Sequence, residues 1–242
     1  MVHLLLGGDL PRAPSPSRPH RESCRRDERR GQSQDEPERA RVRLGRGRRR
    51  ETVAWTARLC FVNEARLEDA GSGLAPVTEG WFVVNVRDAE WFSSETRGAA
   101  CWFANEYGES PIEFAQFGIN VTVLEPGQSS VYHAEANQED FLVLAGECRL
   151  LVEGEERLLR AWDFFHSPPW TEHAFVGAGD ELCVILMVGA HVSPEVRYPV
   201  SDLAARYGAS VEKETSDPEQ VYATAESFRR QRPSYWSRLP WG

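Results

Sequence analysis

Three side chains that can bind a metal ion lie between two glycines in the middle of the chain. They are His133, Glu135 and Glu139, and the flanking residues are Gly127 and Gly146. Imidazole and carboxylate groups bind divalent metals of intermediate hardness. Their close spacing therefore predicts a metal site in this segment.

The spacing of these residues suits neighbouring strands of a sheet. Side chains two apart on a strand point to one face, so His133 and Glu135 can converge from a single strand. Glu139 keeps the same parity after a short polar turn and opens the apolar run DFLVLAG. A further ligand, His173, follows a Pro-Pro turn and precedes the apolar run AFVGAG, so we expect it on a third strand. The alternative from spacing alone is a polar hairpin with both carboxylates in water and His133 on the surface.

The segment resembles the first motif of the cupin family. That motif reads glycine, five residues, histidine, one residue, histidine, three or four residues, glutamate, six residues, glycine. Gly127, His133, Glu139 and Gly146 stand at these intervals, and Glu135 stands in place of the second histidine. The resemblance implies a double-stranded β-helix, or jelly roll, around a cavity with a metal near its centre.

The second cupin motif is kept only in part. Pro168 and His173 match it, while Trp162 and Trp170 stand at its two glycines and Gly177 stands at its asparagine. Glycines at such turns often adopt a positive φ, to which a bulky residue such as Trp170 is poorly suited. The expected metal ligand at His173 is retained.

The chain downstream of about residue 80 consists of short β-rich runs separated by Gly, Pro and Asp, such as FAQFGINVTVLEPG and ELCVILMVGAH. This pattern is typical of an antiparallel sandwich or jelly roll. The predicted fold class is therefore all-β, a double-stranded β-helix (jelly-roll cupin barrel) over residues 61–197.

A short helical appendage is predicted over residues 198–242. The segment YPVSDLAARYG offers a helix that ends at Gly208. In DPEQVYATAESFRRQ, Asp217 is a suitable N-cap and Pro218 a suitable first helical residue. The appendage should pack against the barrel or a partner subunit through its tryptophans.

Charge separates an N-terminal leader from the rest of the chain. Residues 1–50 contain 14 Arg against seven Asp and Glu, a net charge of +7, so the total of −9 leaves −16 for residues 51–242. The leader is also rich in Pro, Ser and Gly, which predicts disorder over residues 1–60. Its arginines could bind nucleic acid without sequence preference. The acidic body and the lack of a DNA-binding fold make nucleic acid a disfavoured partner, and we prefer an inert tail with a native start near Val62.

Other features of the composition favour a water-soluble protein with one main domain. No apolar run reaches the length needed to cross a bilayer, and MVHLLLGG is too short for a secretion signal, so we expect no membrane partner and a cytoplasmic location. The five cysteines are scattered without Cys-x-x-Cys spacing. Buried free thiols are therefore expected at Cys101, Cys148 and Cys183.

Several side chains near the second motif are predicted to line the cavity. These are His166, Phe164, Trp170 and Phe175, with Trp162 as a core or lining residue. The alternative for His166 is a structural histidine whose hydrogen bonds are satisfied. No Ser-His-Asp arrangement, phosphate-binding glycine loop or nucleotide fingerprint occurs in the sequence. Triad hydrolysis and ATP chemistry are therefore disfavoured.

The predicted ligands limit the chemistry. If all four bind a divalent ion, two carboxylates cancel its charge, and a neutral site acidifies bound water less than a cationic one. Redox or substrate-chelating chemistry is then favoured over hydrolysis. If Glu135 points away, two histidines and one carboxylate remain, which is the ligand set of non-haem Fe(II) oxygenases. This set of nitrogen and oxygen donors does not discriminate among Fe, Mn, Ni, Co and Zn.

Two classes of function remain open at this point. The first is a metal-dependent enzyme, with a dioxygenase acting on a small organic substrate ahead of an isomerase or epimerase. The second is a non-catalytic cupin that binds or senses a small ligand. Both classes imply a small-molecule partner, and the sheet edges of a jelly roll favour a homodimer.

Overall fold

The computed structural model describes residues 62–103, 112, 114–223 and 228–241, so the predicted disordered leader lies outside the described residues. The strands are β1 (Leu67–Asp69), β2 (Leu74–Pro76), β3 (Phe92–Ser94), β4 (Gly98–Trp102), β5 (Phe117–Leu124), β6 (Ala134–Glu135), β7 (Glu139–Ala145), β8 (Glu147–Val152), β9 (Glu155–Arg160), β10 (Phe164–Ser167), β11 (His173–Ala178), β12 (Cys183–Ala190), β13 (Val196–Arg197) and β14 (Arg229–Arg230). The helices are α1 (Asp202–Ala205), α2 (Pro218–Ala223) and a 3₁₀ helix (Trp236–Arg238). Within the described ranges, no helix has the length and apolar character needed to cross a membrane.

Two antiparallel sheets form the barrel. The larger has the strand order β10-β7-β12-β5-β4-β3-β14, and the smaller has the order β11-β8-β9. From β7 to β12 the chain crosses between the sheets: β7 lies in the larger, β8 and β9 in the smaller, β10 in the larger, β11 in the smaller and β12 in the larger. This is the all-β double-stranded β-helix that the sequence predicts.

The interior of the barrel lies between the two sheets. On β7, Glu139, Phe141 and Val143 are buried while the residues between them are partly exposed. These inward side chains show the alternation expected for a strand with one face on the core. The buried apolar cluster of the interior comprises Leu124, Phe141, Val143, Cys148, Leu150, Phe175, Cys183 and Ile185. The predicted free thiols at Cys101, Cys148 and Cys183 are confirmed, and all three are buried.

Segments from outside the two sheets cover the outer faces of both. Ala204 of α1 packs with Ala174 and Val176 on the outside of the smaller sheet. Trp91 and Tyr235 pack in the cluster that covers the outside of the larger sheet. Because both faces of these strands are buried, runs such as AFVGA and CVILMVGA are apolar without alternation.

The C-terminal region contains short helices, as predicted, and it also contributes to the larger sheet. Ser201 caps α1 by accepting a hydrogen bond from the Ala204 amide at 3.2 Å. At the start of α2, Asp217 Oδ1 accepts from the Glu219 amide at 3.0 Å. Strand β14 then pairs with β3 at the end of the larger sheet. The boundary at residues 197 and 198 stays a prediction.

Turns with a positive φ occur where the cupin motifs place glycines. Gly127 has φ +87° and Gly146 has φ +70°. At Trp162 and Trp170 the φ angles are 75° and 69°, so both turns keep the left-handed conformation despite their bulky side chains. Positive φ is unusual for such residues and costs energy that the surrounding fold must offset.

Both the positive φ and the close approach of neighbouring backbone atoms require glycine at position 146. A Cβ atom there would lie 2.2 Å from the carbonyl oxygen of Leu182, whereas a Cβ at Gly127 would meet no atom within 4 Å. We expect Gly127→Ala to lower the free energy of unfolding by about 1 kcal/mol through backbone conformation alone. Gly146→Ala should lower it by about 2 to 4 kcal/mol, because overpacking is added. Urea denaturation of both variants measures the difference, and equal losses would contradict the clash at position 146.

Candidate metal centre

The two predicted histidine ligands face each other across a pair of antiparallel backbone segments. The His133 amide donates to the His173 carbonyl at 3.0 Å, and the His173 amide donates back to the His133 carbonyl at 2.8 Å. The ring centroids are 4.8 Å apart. Both side chains are buried, with exposed fractions of 9% for His133 and 1% for His173. The reciprocal bridge therefore fixes two imidazoles side by side inside the barrel.

Glu139 reaches this pair from the larger sheet, as the first residue of β7. Its Oε2 lies 3.6 Å from His173 Nε2 and 3.9 Å from His133 Nε2. One ligand atom from each of the three residues lies within 4.8 Å of the others. These separations exceed hydrogen-bonding distance, but they are close to the spacing of donors around a metal bound at about 2.1 Å. Three ligands from three separate segments thus converge on one point.

Glu135 is the predicted ligand that the cluster does not include. Its side chain is buried, and Oε1 lies 3.8 Å from His133 Nε2. It is not among the groups that approach one another within 4.8 Å, which are His133, Glu139 and His173. Strand parity places Glu135 beside His133, but its carboxylate does not join the cluster with Glu139 and His173. The geometry accordingly favours a set of two histidines and one carboxylate.

Hydrogen bonds fix the tautomers of both imidazoles. Nδ1 of His133 lies 2.8 Å from the Val131 carbonyl, and Nδ1 of His173 lies 3.0 Å from the Thr171 carbonyl. A carbonyl oxygen can only accept, so each Nδ1 carries the proton and each Nε2 keeps its lone pair. Nε2 of His173 is buried and has no hydrogen-bond partner among the described residues. Such backbone anchoring is typical of metal-binding histidines, and the donor set fits a divalent ion.

Burial keeps His173 neutral. Desolvation lowers the pKa of its imidazole from 6.5 to about 4, although the neighbouring Glu139 carboxylate acts in the opposite direction. At neutral pH the ring therefore carries no extra proton on Nε2. The lone pair of His173 Nε2 is therefore available to bind a metal ion.

A cavity of about 120 Å³ adjoins the three ligands. Its walls are mostly aromatic or aliphatic, and its other polar residues are few; the aromatic side chains are Trp102, Phe141, Phe175, Tyr222 and Phe228, and the polar ones include Arg97, Asn120 and Thr122. An apolar cavity of about 150 Å³ can hold one benzene molecule. The space suits a small organic ligand.

Of the residues predicted to line this cavity, Phe175 does so, whereas Phe164, His166 and Trp170 do not. Phe164 and Trp170 are 63% and 46% exposed, and His166 lies on the surface with Nδ1 2.7 Å from Asp140 Oδ1. For Phe164 and His166 the reason is strand parity. On β10 it is Phe165 that pairs with Phe141, whose side chain points inward, so its neighbours on either side point outward. Trp162, also considered as a core or lining residue, is 74% exposed.

Several residues of the site were not predicted from the sequence. The Phe165 ring lies 5.7 Å from that of His173 and forms part of its apolar surroundings. Its inward orientation could have been found from the pairing of β10 with β7, but the local sequence FFHS gives no alternation. Arg97, Asn120 and Tyr222 come from distant parts of the chain and carry no local pattern that marks them.

Comparisons with known proteins agree with this description. The family model for the cupin domain matches residues 120–189, which include all three clustered ligands. Residues 120–189 form a cupin domain. No curated protein matches the chain at a significant level.

Solved structures are similar to part of this chain. A cupin-like protein from Thermotoga maritima is 19% identical, with 51% of this chain and 90% of that chain covered and a TM-score of 0.38. An RmlC-like cupin from Shewanella frigidimarina is 17% identical, with 44% and 87% covered and a TM-score of 0.37. A protein with a double-stranded β-helix domain from Klebsiella pneumoniae is 20% identical, with 43% and 84% covered and a TM-score of 0.37. The likeness is confined to about half of this chain.

The depressed pKa of His173 predicts how the stability of the metal-free protein depends on pH. Unfolding returns its pKa from about 4 to 6.5, so between these values the unfolded chain binds more protons. Stability should therefore fall as the pH drops from 6.5 to 4, by on the order of 3 kcal/mol from this group. His173→Gln should remove that part of the dependence in urea denaturation, and His166→Gln on the surface should not. An unchanged pH profile in His173→Gln would contradict the assignment.

Proposed function

We propose that the cupin domain binds one divalent metal ion through His133, Glu139 and His173, and that it acts as a metal-dependent dioxygenase on a small organic substrate. The observation that carries the proposal is the two-histidine, one-carboxylate cluster beside a cavity. This ligand set is associated with non-haem Fe(II) oxygenases, which need open coordination positions. The position of Glu135 outside the cluster supports the three-ligand version over the four-ligand one.

The protein's own residues would prepare the site in three ways. The Val131 and Thr171 carbonyls hold both imidazoles with Nε2 toward the cluster. Glu139 supplies the single negative charge of the set, so the loaded site retains a net positive charge. A bound ion of this kind would supply open positions for oxygen and substrate.

Aromatic rings form an apolar wall beside His173. Phe141 and Phe165 stack at 5.6 Å between centroids, and each lies edge-on to His173 at 5.1 Å and 5.7 Å. Phe175 extends the same wall and contacts Phe141 at 4.8 Å. An apolar wall of this kind limits side reactions with water and positions an apolar substrate.

The second candidate function is binding or sensing of a small ligand without turnover. The mostly apolar lining of the cavity favours it, because such walls hold a ligand whether or not a metal is present. Isomerase or epimerase activity is the remaining catalytic alternative. The small-molecule partner is part of the proposal, and the homodimer, the exclusion of nucleic acid and the cytoplasmic location stay predictions.

Metal content distinguishes the ligands from their neighbours. We expect His133→Ala, Glu139→Gln and His173→Ala each to lose most of the bound metal, since each removes one of three donors. Glu135→Gln should retain most of it, and His166→Ala serves as a surface histidine control. Plasma mass spectrometry of the purified full chain measures the ratio of metal to protein. Metal content that is equal in all five variants would contradict the proposed centre.

Oxygen consumption separates the oxygenase from the binding module. Protein loaded with Fe(II) under anaerobic conditions should consume oxygen when a panel of small aromatic and aliphatic acids and alcohols is added. Consumption should disappear in His133→Ala and persist in His166→Ala, as followed with an oxygen electrode. A ligand that binds equally well to metal-free protein, with no metal-dependent uptake of oxygen, would instead establish the binding module.

A further inference from the structure

Arg97 is a partly buried cation on the wall of the cavity, in the turn between β3 and β4. Its Nη1 donates to Ser129 Oγ at 3.1 Å and to the Gly208 carbonyl at 3.0 Å. A longer contact of 3.3 Å joins Nη1 to the Ser129 carbonyl. These neutral acceptors come from the segment before β6 and the residues after α1. They hold the guanidinium in one place.

No acidic side chain among the described residues forms an ion pair with Arg97. Its Nε is buried and has no hydrogen-bond partner in the same part of the chain. Other arginines are paired: Arg149 with Glu156, Arg197 with Glu172 and Arg230 with Glu90. Guanidinium remains charged in proteins, and a buried charge is costly unless an anion accompanies it. Within the described part of the chain, Arg97 therefore lacks the acidic partner that Arg149, Arg197 and Arg230 have.

We propose that Arg97 binds the carboxylate of a small-molecule ligand, so that the cavity accepts small organic acids with an apolar body. This proposal rests on the proposed function because it uses the same cavity, but it does not require the metal. A carboxylate suits a planar guanidinium, because its two oxygens can accept from two parallel N–H groups. The cavity volume of about 120 Å³ favours a compact monoanion over a larger phosphate ester, as does the presence of one arginine among the described lining residues.

The rest of the cavity fits an acid of this kind. Asn120 is a second polar residue on the wall, and its Oδ1 accepts from Thr122 Oγ1 at 3.1 Å. The amide N–H groups of Asn120 remain as donors for a ligand oxygen. The aromatic rings of Trp102, Phe141 and Phe228 offer apolar contact to the body of the ligand.

The test compares carboxylates with their neutral amides on metal-stripped full-length protein. The probes are three matched pairs: acetate and acetamide, propionate and propionamide, and benzoate and benzamide. The variants are Arg97→Gln, which keeps donors without charge, and Arg97→Lys, which keeps the charge. Arg149→Gln is the control, since that residue is paired with Glu156 on the smaller sheet. Ligand-observed NMR titration gives the ratio of the two dissociation constants for each pair.

In the wild type, at least one carboxylate should bind about tenfold or more tightly than its amide. Arg97→Gln should bring that ratio to about one, while Arg97→Lys keeps most of it and Arg149→Gln leaves it unchanged. The proposal is overturned if no pair is discriminated by the wild type, if Arg97→Gln keeps the ratio, or if it weakens acid and amide equally. The last result would mean that Arg97 only supports the fold.

Metal content of the same variants separates this proposal from the metal centre. Arg97→Gln, reloaded with Zn²⁺, should bind as much metal as the wild type because Arg97 is not in the ligand cluster. His173→Ala should lose metal and still prefer the carboxylate. If the wild type prefers acids but binds no metal, the anion site is supported and the metal centre is contradicted. If it binds metal but does not prefer acids, the metal centre is supported and the anion site is contradicted.

Discussion

The reciprocal backbone hydrogen bonds between His133 and His173 are the constraint on which the site depends. They tie the segment before β6 to the first residue of β11, which are 40 residues apart in the chain. Because paired residues of antiparallel segments project to the same side, the bridge alone brings the two imidazoles together. Glu139 reaches them from the opposite sheet, so the cluster forms only when the barrel closes.

Hydrogen bonds offset much of the cost of burying two imidazoles at the cluster. Neutral imidazoles need less compensation than charged ones, and each Nδ1–H has a backbone carbonyl as its partner. The aromatic side chains beside the cluster offer no hydrogen-bond donor to the Nε2 atoms. At His173, a hydrogen-bonded Nδ1 beside a buried Nε2 without a hydrogen-bond partner among the described residues distinguishes a ligand site from an ordinary buried histidine. Arg97 presents the analogous contrast for an anion on the same cavity.

Local spacing together with the cupin resemblance identified the ligands, because they lie at or next to strand starts with a fixed parity. It predicted His133, Glu139 and His173 together, and it also predicted Glu135, since parity gives direction but not distance. The residues FFHS of β10 were assigned to the wrong face because two consecutive phenylalanines conceal the alternation. Arg97 was missed because its place on the cavity wall results from tertiary folding alone. The tryptophans at positive φ show that neighbouring strands can impose a turn that the local sequence disfavours.

The most direct test of the account is a crystal structure of the full chain grown with Zn²⁺ or Fe(II), with data collected on both sides of the metal's absorption edge. The account predicts one anomalous peak within bonding distance of His133 Nε2, His173 Nε2 and a carboxylate oxygen of Glu139, at about 2.0 to 2.2 Å from each. Glu135 should lie outside that distance. An anomalous map with no peak among these three side chains, in crystals whose metal content is shown by fluorescence, would contradict the account.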